Sequence, residues 1–208
     1  MILGYGGGYG EFYGGSLEVG GSMSSGMGHG SASIQGGFSI PSIKVAGELR
    51  GTAESPLQID AYGEISKVTI GGSVQFASIT CGTDQGYAYE YVGIGNPDAQ
   101  IGTVIVGGDW VASSIAAGIA ANNGHFGDAD DLKVGDFDDP EIASRIAKIT
   151  IGGRTRGVPG GDVSHGFVSQ EIGMLSVGGV QLPLTKGASN DFLYLDSINR
   201  FVVNEISG

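Results

Sequence analysis

The chain has 208 residues, with 41 glycines, 6 prolines, one cysteine and a formal net charge of −12 at neutral pH. That length allows one domain with a continuous core, and glycine without proline enrichment points to many turns rather than a disordered tail. No stretch approaches the roughly 18 uninterrupted apolar residues of a membrane span, the acidity opposes nucleic acid and anionic membranes as partners, and the lone Cys81 rules out an intramolecular disulfide without fixing the redox compartment.

Residues 1–15 are rich in Gly and Tyr and lack the basic start and apolar run of a secretory signal. Ile2, Tyr5, Tyr9, Phe12 and Tyr13 read as an irregular lead-in, so either export is not encoded here or the chain is a piece of a longer protein. From residue 17 a pattern repeats: a short run alternating apolar and polar residues, closed by Gly-Gly. It reads Leu17-Glu18-Val19-Gly20-Gly21, Val68-Thr69-Ile70-Gly71-Gly72, Val104-Ile105-Val106-Gly107-Gly108, Ile149-Thr150-Ile151-Gly152-Gly153 and Leu175-Ser176-Val177-Gly178-Gly179, with a degenerate copy at Ile43-Lys44-Val45-Ala46-Gly47. The first small residue of each pair falls at 20, 46, 71, 107, 152 and 178, at intervals of 26, 25, 36, 45 and 26 residues.

Period-two alternation rich in Val and Ile predicts strands, not helices. A spacing of 25 or 26 residues with two insertions predicts a solenoid. Stacked at the strand spacing of about 4.8 Å, the copies would align Val19, Val45, Ile70, Val106, Ile151 and Val177 as an interior ladder. The glycines then turn a corner where positive φ or close backbone approach would penalise a side chain. A second short strand follows each corner, within residues 31–34, 56–59, 76–79, 113–116 and 166–169. The predicted fold is all-β: one domain over residues 1–208, a parallel β-helix (β-solenoid) of about six coils rising roughly 25–30 Å. An antiparallel sandwich or barrel is the alternative. Solenoid ends need capping, and beyond Leu193 to Ile206 no cap is evident, which points either to a C-terminal module of a larger protein or to a segment that self-associates through the solenoid ends.

The two long intervals place insertions at residues 81–100 and 120–145, leaving successive coils at the same point and so sharing one edge. Charge gathers there. Between Asp84 and Asp139 lie ten acids against one base, Lys133, which accounts for −9 of the −12. The longer insertion carries Asp128, Asp130, Asp131, Asp136, Asp138 and Asp139. Carboxylates with Asn and carbonyl oxygens are what Ca²⁺ takes, so calcium is the expected cofactor, with a plainly solvated loop as the other reading. The spacing is no EF-hand, because Leu132 stands where an oxygen ligand belongs, and the calcium nonapeptide of β-rolls is absent. In the shorter insertion Tyr87, Tyr89 and Tyr91 alternate, forming either a platform for sugar rings or a cover over the solenoid's side.

Catalytic constellations are sparse. Cys81 reads as a small buried hydrophobe. Asp162, Ser164 and His165 are close in sequence, but strand neighbours face opposite ways, so Ser164 and His165 do not form a dyad. His125, beside the aspartates, is either a base near a bound cation or a solvated loop histidine. The Gly-Gly corners lack the Lys-Ser/Thr and the helix of a nucleotide site.

The stitch Ile-x-x-Val-x-Val-Gly-Gly, carried by Ile65, Ile101, Ile146 and Ile172 and the residues after each, resembles the parallel β-helix segments of large bacterial secreted and surface proteins over residues 17–180. The resemblance implies an extracellular or cell-surface location and two functions. One is a calcium-binding structural or adhesive module meeting a protein or carbohydrate surface. The other is a calcium-dependent hydrolase or lyase acting on a small ester, a lactone or a carbohydrate, with His125 or His165 as base. Lyase chemistry asks for a cation beside the acids, and Arg145, Arg154 and Arg156 come only one coil later.

Overall fold

The computed structural model describes residues 11–12, 15–26, 33–83, 95–135, 138–158, 160–161 and 163–207. Among them are strands and turns but no helix, so no helix is long and apolar enough to cross a membrane. Most strands lie parallel in three sheets, which corrects the antiparallel alternative. Sheet A holds the stitch strands Ser16–Val19, Ser42–Val45, Glu64–Ile70, Gln100–Val106, Arg145–Ile151 and Leu175–Val177. Sheet B is built from two-residue strands: Met23–Ser24, Leu49–Arg50, Val74–Gln75, Trp110–Val111 and Thr155–Arg156. Sheet C holds Glu11–Phe12, Ser33–Gly36, Leu57–Ala61, Ala77–Cys81, Ser114–Ala117, His165–Ser169 and Phe201–Glu205. The chain visits the sheets repeatedly in the order A, B, C. The short strands of sheet B are the addition to the sequence reading, which passed from the Gly-Gly corner straight to sheet C.

Register puts like side chains on like. In sheet A, Val19, Val45, Ile70, Val106, Ile151 and Val177 are successive partners, as are Leu17, Ile43, Val68, Val104, Ile149 and Leu175. A third row runs Ile40, Ile65, Ile101, Ile146 and Ile172. Opposite them, Ile34, Ile59, Ile79, Ile115, Phe167 and Val203 align in sheet C. All of these are buried except Leu17, Ile34 and Val177, which are half-buried near the ends of their rows. Each buried aliphatic side chain contributes about 1.5–3 kcal/mol through removal from water. Trp110 fills sheet B's wall, donating its Nε1–H to the Ser113 carbonyl at 2.8 Å and meeting Phe167 edge-on at 5.7 Å, which in turn meets Phe201 at 5.1 Å.

The A-to-B corner owes its glycines to proximity. The Gly107 N–H donates to the Ile70 carbonyl at 2.9 Å, Gly152 to Val106 at 2.7 Å, and the pattern holds at Gly71 and Gly178. A Cβ on Gly107 would lie 2.2 Å from the Gly71 carbonyl oxygen. Of the stitch glycines, Gly178 and Gly179 alone have positive φ. Close approach, rather than a left-handed backbone, is therefore what most of these corners require.

The last passage is closed by reversal. Val180–Gln181 turns back antiparallel on sheet A and Phe192–Asp196 on sheet C, each becoming the outermost strand of its sheet. Glu205, 7% exposed, sits in register with Ser169 and accepts the Ile172 N–H at 2.7 Å on one oxygen and the Asn190 N–H at 3.1 Å on the other.

Two substitutions separate these effects. Gly107→Ala should cost about 1–3 kcal/mol by overpacking, while Gly20→Ala, with nothing within 4 Å of its added methyl, should change stability by under about 0.5 kcal/mol. Ile149→Ala should cost about 2–5 kcal/mol through lost burial and a cavity. Equal effects of the two glycine changes in urea melts would sink the close-approach argument.

Candidate functional site

Both insertions leave at one corner, where sheet C hands over to sheet A. The Gly82 N–H donates to the Ala61 carbonyl and the Gly118 N–H to the Cys81 carbonyl, each at 2.8 Å, so the departure points stack. The second departure falls at Gly118, slightly before the expected position. The insertions also touch: the Asp139 N–H donates to Asp98 Oδ2 at 3.3 Å, and Gln100 Nε2 reaches the Asp98 and Ala143 carbonyls at 2.9 Å.

The second insertion folds on itself and onto sheet C. Ile119–Ala121 pairs antiparallel with Asp131–Lys133. Phe126 packs with Ala116, Ile119, Val168 and Ile206 in a small apolar cluster separate from the main core. Gly127 follows with φ +105°, and a Cβ there would stand 2.8 Å from the His165 carbonyl oxygen. Only glycine suits both constraints.

Beyond Phe126 the aspartates converge. Asp128, Asp130 and Asp131 offer oxygens all within 4.8 Å of one another. Asp131 is 6% exposed; its Oδ2 accepts the N–H groups of Gly127 at 2.6 Å and Asp128 at 3.2 Å. Asp128 accepts the Asp130 N–H at 3.2 Å and the Asn123 amide at 3.0 Å. Burial, opposed in part by those N–H bonds, pushes the Asp131 carboxyl up to about 7. The Asp128 carboxylate facing Asp130 raises the latter.

Among the described residues, four buried side-chain atoms have no hydrogen-bond partner: Asp98 Oδ1, Asp130 Oδ1, Asp131 Oδ1 and His165 Nε2. Three are carboxylate oxygens of the insertions, and the fourth lies on the strand beneath Gly127. Such groups cost about 1–3 kcal/mol each, more when charged. Oxygens on a shared Ca²⁺ at roughly 2.3–2.6 Å can be no more than about 5 Å apart, and the three carboxylates meet that spacing limit.

Asp138 and Asp139 stand outside the triad. Asp138 pairs with Lys133, and Asp139 holds the Glu141 N–H at 3.0 Å besides its link to Asp98. Asp136, Tyr87, Tyr89, Tyr91 and Asp162 lie outside the described residues. His125 is exposed, its backbone N–H on Asn123 Oδ1 at 2.8 Å, and its charge is felt by Asp128, Asp130 and His165. Neither histidine joins the triad's ligand group. Cys81 is fully buried, its thiol held up by burial and then by Asp60. Asp60 itself escaped sequence reading: it faces outward from Leu57–Ala61, takes the Thr80 hydroxyl at 2.7 Å, and burial raises it to about 6. A cleft of about 310 Å³, lined by Arg145, Glu171, Ile172, Gly173, Leu184, Thr185 and Lys186, contains the Arg145–Glu171 pair at 3.6 Å and none of the candidate residues.

No protein family, curated protein or solved structure matches this chain.

Two half-buried groups give opposite pH signatures. Burial first, then the charge of His125, lowers His165 from 6.5 to about 4. Its stabilising share is complete above pH 6.5 and is lost as pH falls toward 4. Asp60, raised from 3.8 to about 6, stabilises most below 3.8 and loses that share as pH rises through 6. Denaturant melts across this range should show a shallower acid-side loss for His165→Gln than for the parent, and a shallower loss toward neutral pH for Asp60→Asn. Profiles parallel to the parent's would show that neither burial governs stability.

Proposed function

We propose that this chain is a β-solenoid of about six coils serving as an extracellular or cell-surface structural and adhesive module, with a Ca²⁺ ion held in its second insertion by Asp128, Asp130 and Asp131. The observation that carries the cation is the pair of buried, unpartnered oxygens, Asp130 Oδ1 and Asp131 Oδ1, beside Asp128. Three carboxylates so close repel one another, and a divalent cation replaces that repulsion with coordination. The cyclic order of three parallel sheets supports the solenoid. The shared corner of the insertions supports display, since it presents both loops on one edge for a protein or carbohydrate surface. The hydrolase or lyase alternative would place His125 or His165 at a substrate-sized cleft, and the 310 Å³ cleft is lined by neither.

Calcium in hundredfold excess over its dissociation constant should stabilise the protein by about 2.7 kcal/mol, a melting-temperature rise of about 5–10 °C for a chain of this size. Magnesium should do less, because it sheds water reluctantly and demands tighter octahedral geometry. Asp128, Asp130 and Asp131 changed together to Asn should abolish the calcium effect while circular dichroism still reports a folded β protein. Melting curves identical in millimolar calcium and in chelator would remove the cation from this reading and leave a structural solenoid with a solvated loop.

A further inference from the structure

We propose that the cation is a latch: it holds the second insertion down on the outer face of sheet C, and its removal lifts Phe126 away and uncovers an apolar patch. The inference rests on the calcium reading above. Its basis is the short path from the acidic triad to the apolar anchor. Asp131 Oδ2 holds the N–H groups of Gly127 and Asp128 at 2.6 and 3.2 Å, and Gly127 is the residue that follows Phe126. Phe126, 8% exposed, plugs a cluster whose other members on sheet C are Ala116 and Val168, both fully buried, with Ile206 just after the strand Phe201–Glu205.

The latch has a defined seat. Gly127 lies against the His165 carbonyl with no room for a side chain, so the loop backbone meets sheet C closely right beside the Phe126 ring. Without the ion, Asp128, Asp130 and Asp131 crowd their charges around the same loop whose backbone Asp131 closes. Charge repulsion there pulls against the plug. The plug is small: one ring over a few aliphatic groups, against a main core built of rows of five or six stacked side chains. A local opening of the insertion, with sheets A, B and C intact, is therefore the cheapest response to losing the ion. By linkage the coupling is reciprocal, so loosening the plug must weaken the ion.

Hydrogen exchange on the whole chain, with Ca²⁺ or with EGTA, reads the opening directly. Amides in residues 119–135 should exchange at least about tenfold faster in EGTA, while Ala77–Cys81 and Gln100–Val106 stay unchanged. Calorimetric titration with Ca²⁺ alone supplies the second reading: Phe126→Ala, with its coils folded by circular dichroism, should bind roughly fivefold or more weakly than the parent. Calcium binding with equal exchange in both conditions, or with unchanged affinity in Phe126→Ala, overturns the latch and leaves the ion site standing. Faster exchange throughout the sheets overturns it as well, since the ion then stabilises the whole fold. No calcium binding by the parent removes the ion site and the latch together.

Discussion

The contact on which everything else rests is the peptide of one passage lying at hydrogen-bond distance from the same peptide of the next, at the corner where sheet A turns into sheet B. The bonds from Gly71 to Val45, Gly107 to Ile70, Gly152 to Val106 and Gly178 to Ile151 span 2.7–2.9 Å. At that separation no Cβ fits between Gly107 and Gly71 or between Gly152 and Gly107. Once the corners are locked in this register, parallel pairing follows on both sides of them, and identical positions of successive passages must stack. A row of Val and Ile then needs no individual complementarity, because each side chain meets its own kind directly above and below.

That same lock explains how two insertions of different length arrive in one place. The corner between sheets C and A repeats as faithfully as the Gly-Gly corner, with Gly82 on Ala61 and Gly118 on Cys81. Chain that leaves there and returns to Gln100 or Arg145 disturbs no row of the core. The rows Ile65, Ile101, Ile146 and Val68, Val104, Ile149 run across both interruptions without a break. Charge that would be ruinous within the rows is tolerated beside them.

How much of this was legible depended on periodicity. The stitch strands alternate over enough residues to be recognised, and their spacing predicts the register of Val19, Val45, Ile70, Val106 and Ile151. Sheet B escaped because a two-residue strand such as Leu49–Arg50 has no period to read. The reversal at the C-terminal end escaped for a related reason: its key is Glu205, an acid in a column where Gly36, Ala61, Cys81 and Ala117 stand earlier, and its worth lies in bonds to Ile172 and Asn190 that composition does not reveal. Within the acidic loop the run of aspartates drew attention as a whole. Only folding divides it into a triad, an ion pair of Asp138 with Lys133, and the bridge from Asp139 to Asp98.

The division has a physical cause. Asp131 begins the returning arm of the hairpin opposite Ala121, and the strand geometry buries it; Asp128 and Asp130 are then drawn to it by the tight turn that starts at Gly127. Asp138 and Asp139 come after that arm has ended and answer to Lys133 and to the first insertion instead. A buried carboxylate with one oxygen used by backbone N–H groups, the other without a hydrogen-bond partner, and two more carboxylates close by is in conflict with its surroundings unless a cation or a proton resolves it. Burial already pushes Asp131 up to about 7, which is the proton's way of resolving it. Calcium is the other way in the reading proposed above: there it keeps all three carboxylates charged and joins the turn to the Phe126 plug, so that the loop's chemistry and its docking on sheet C form one equilibrium.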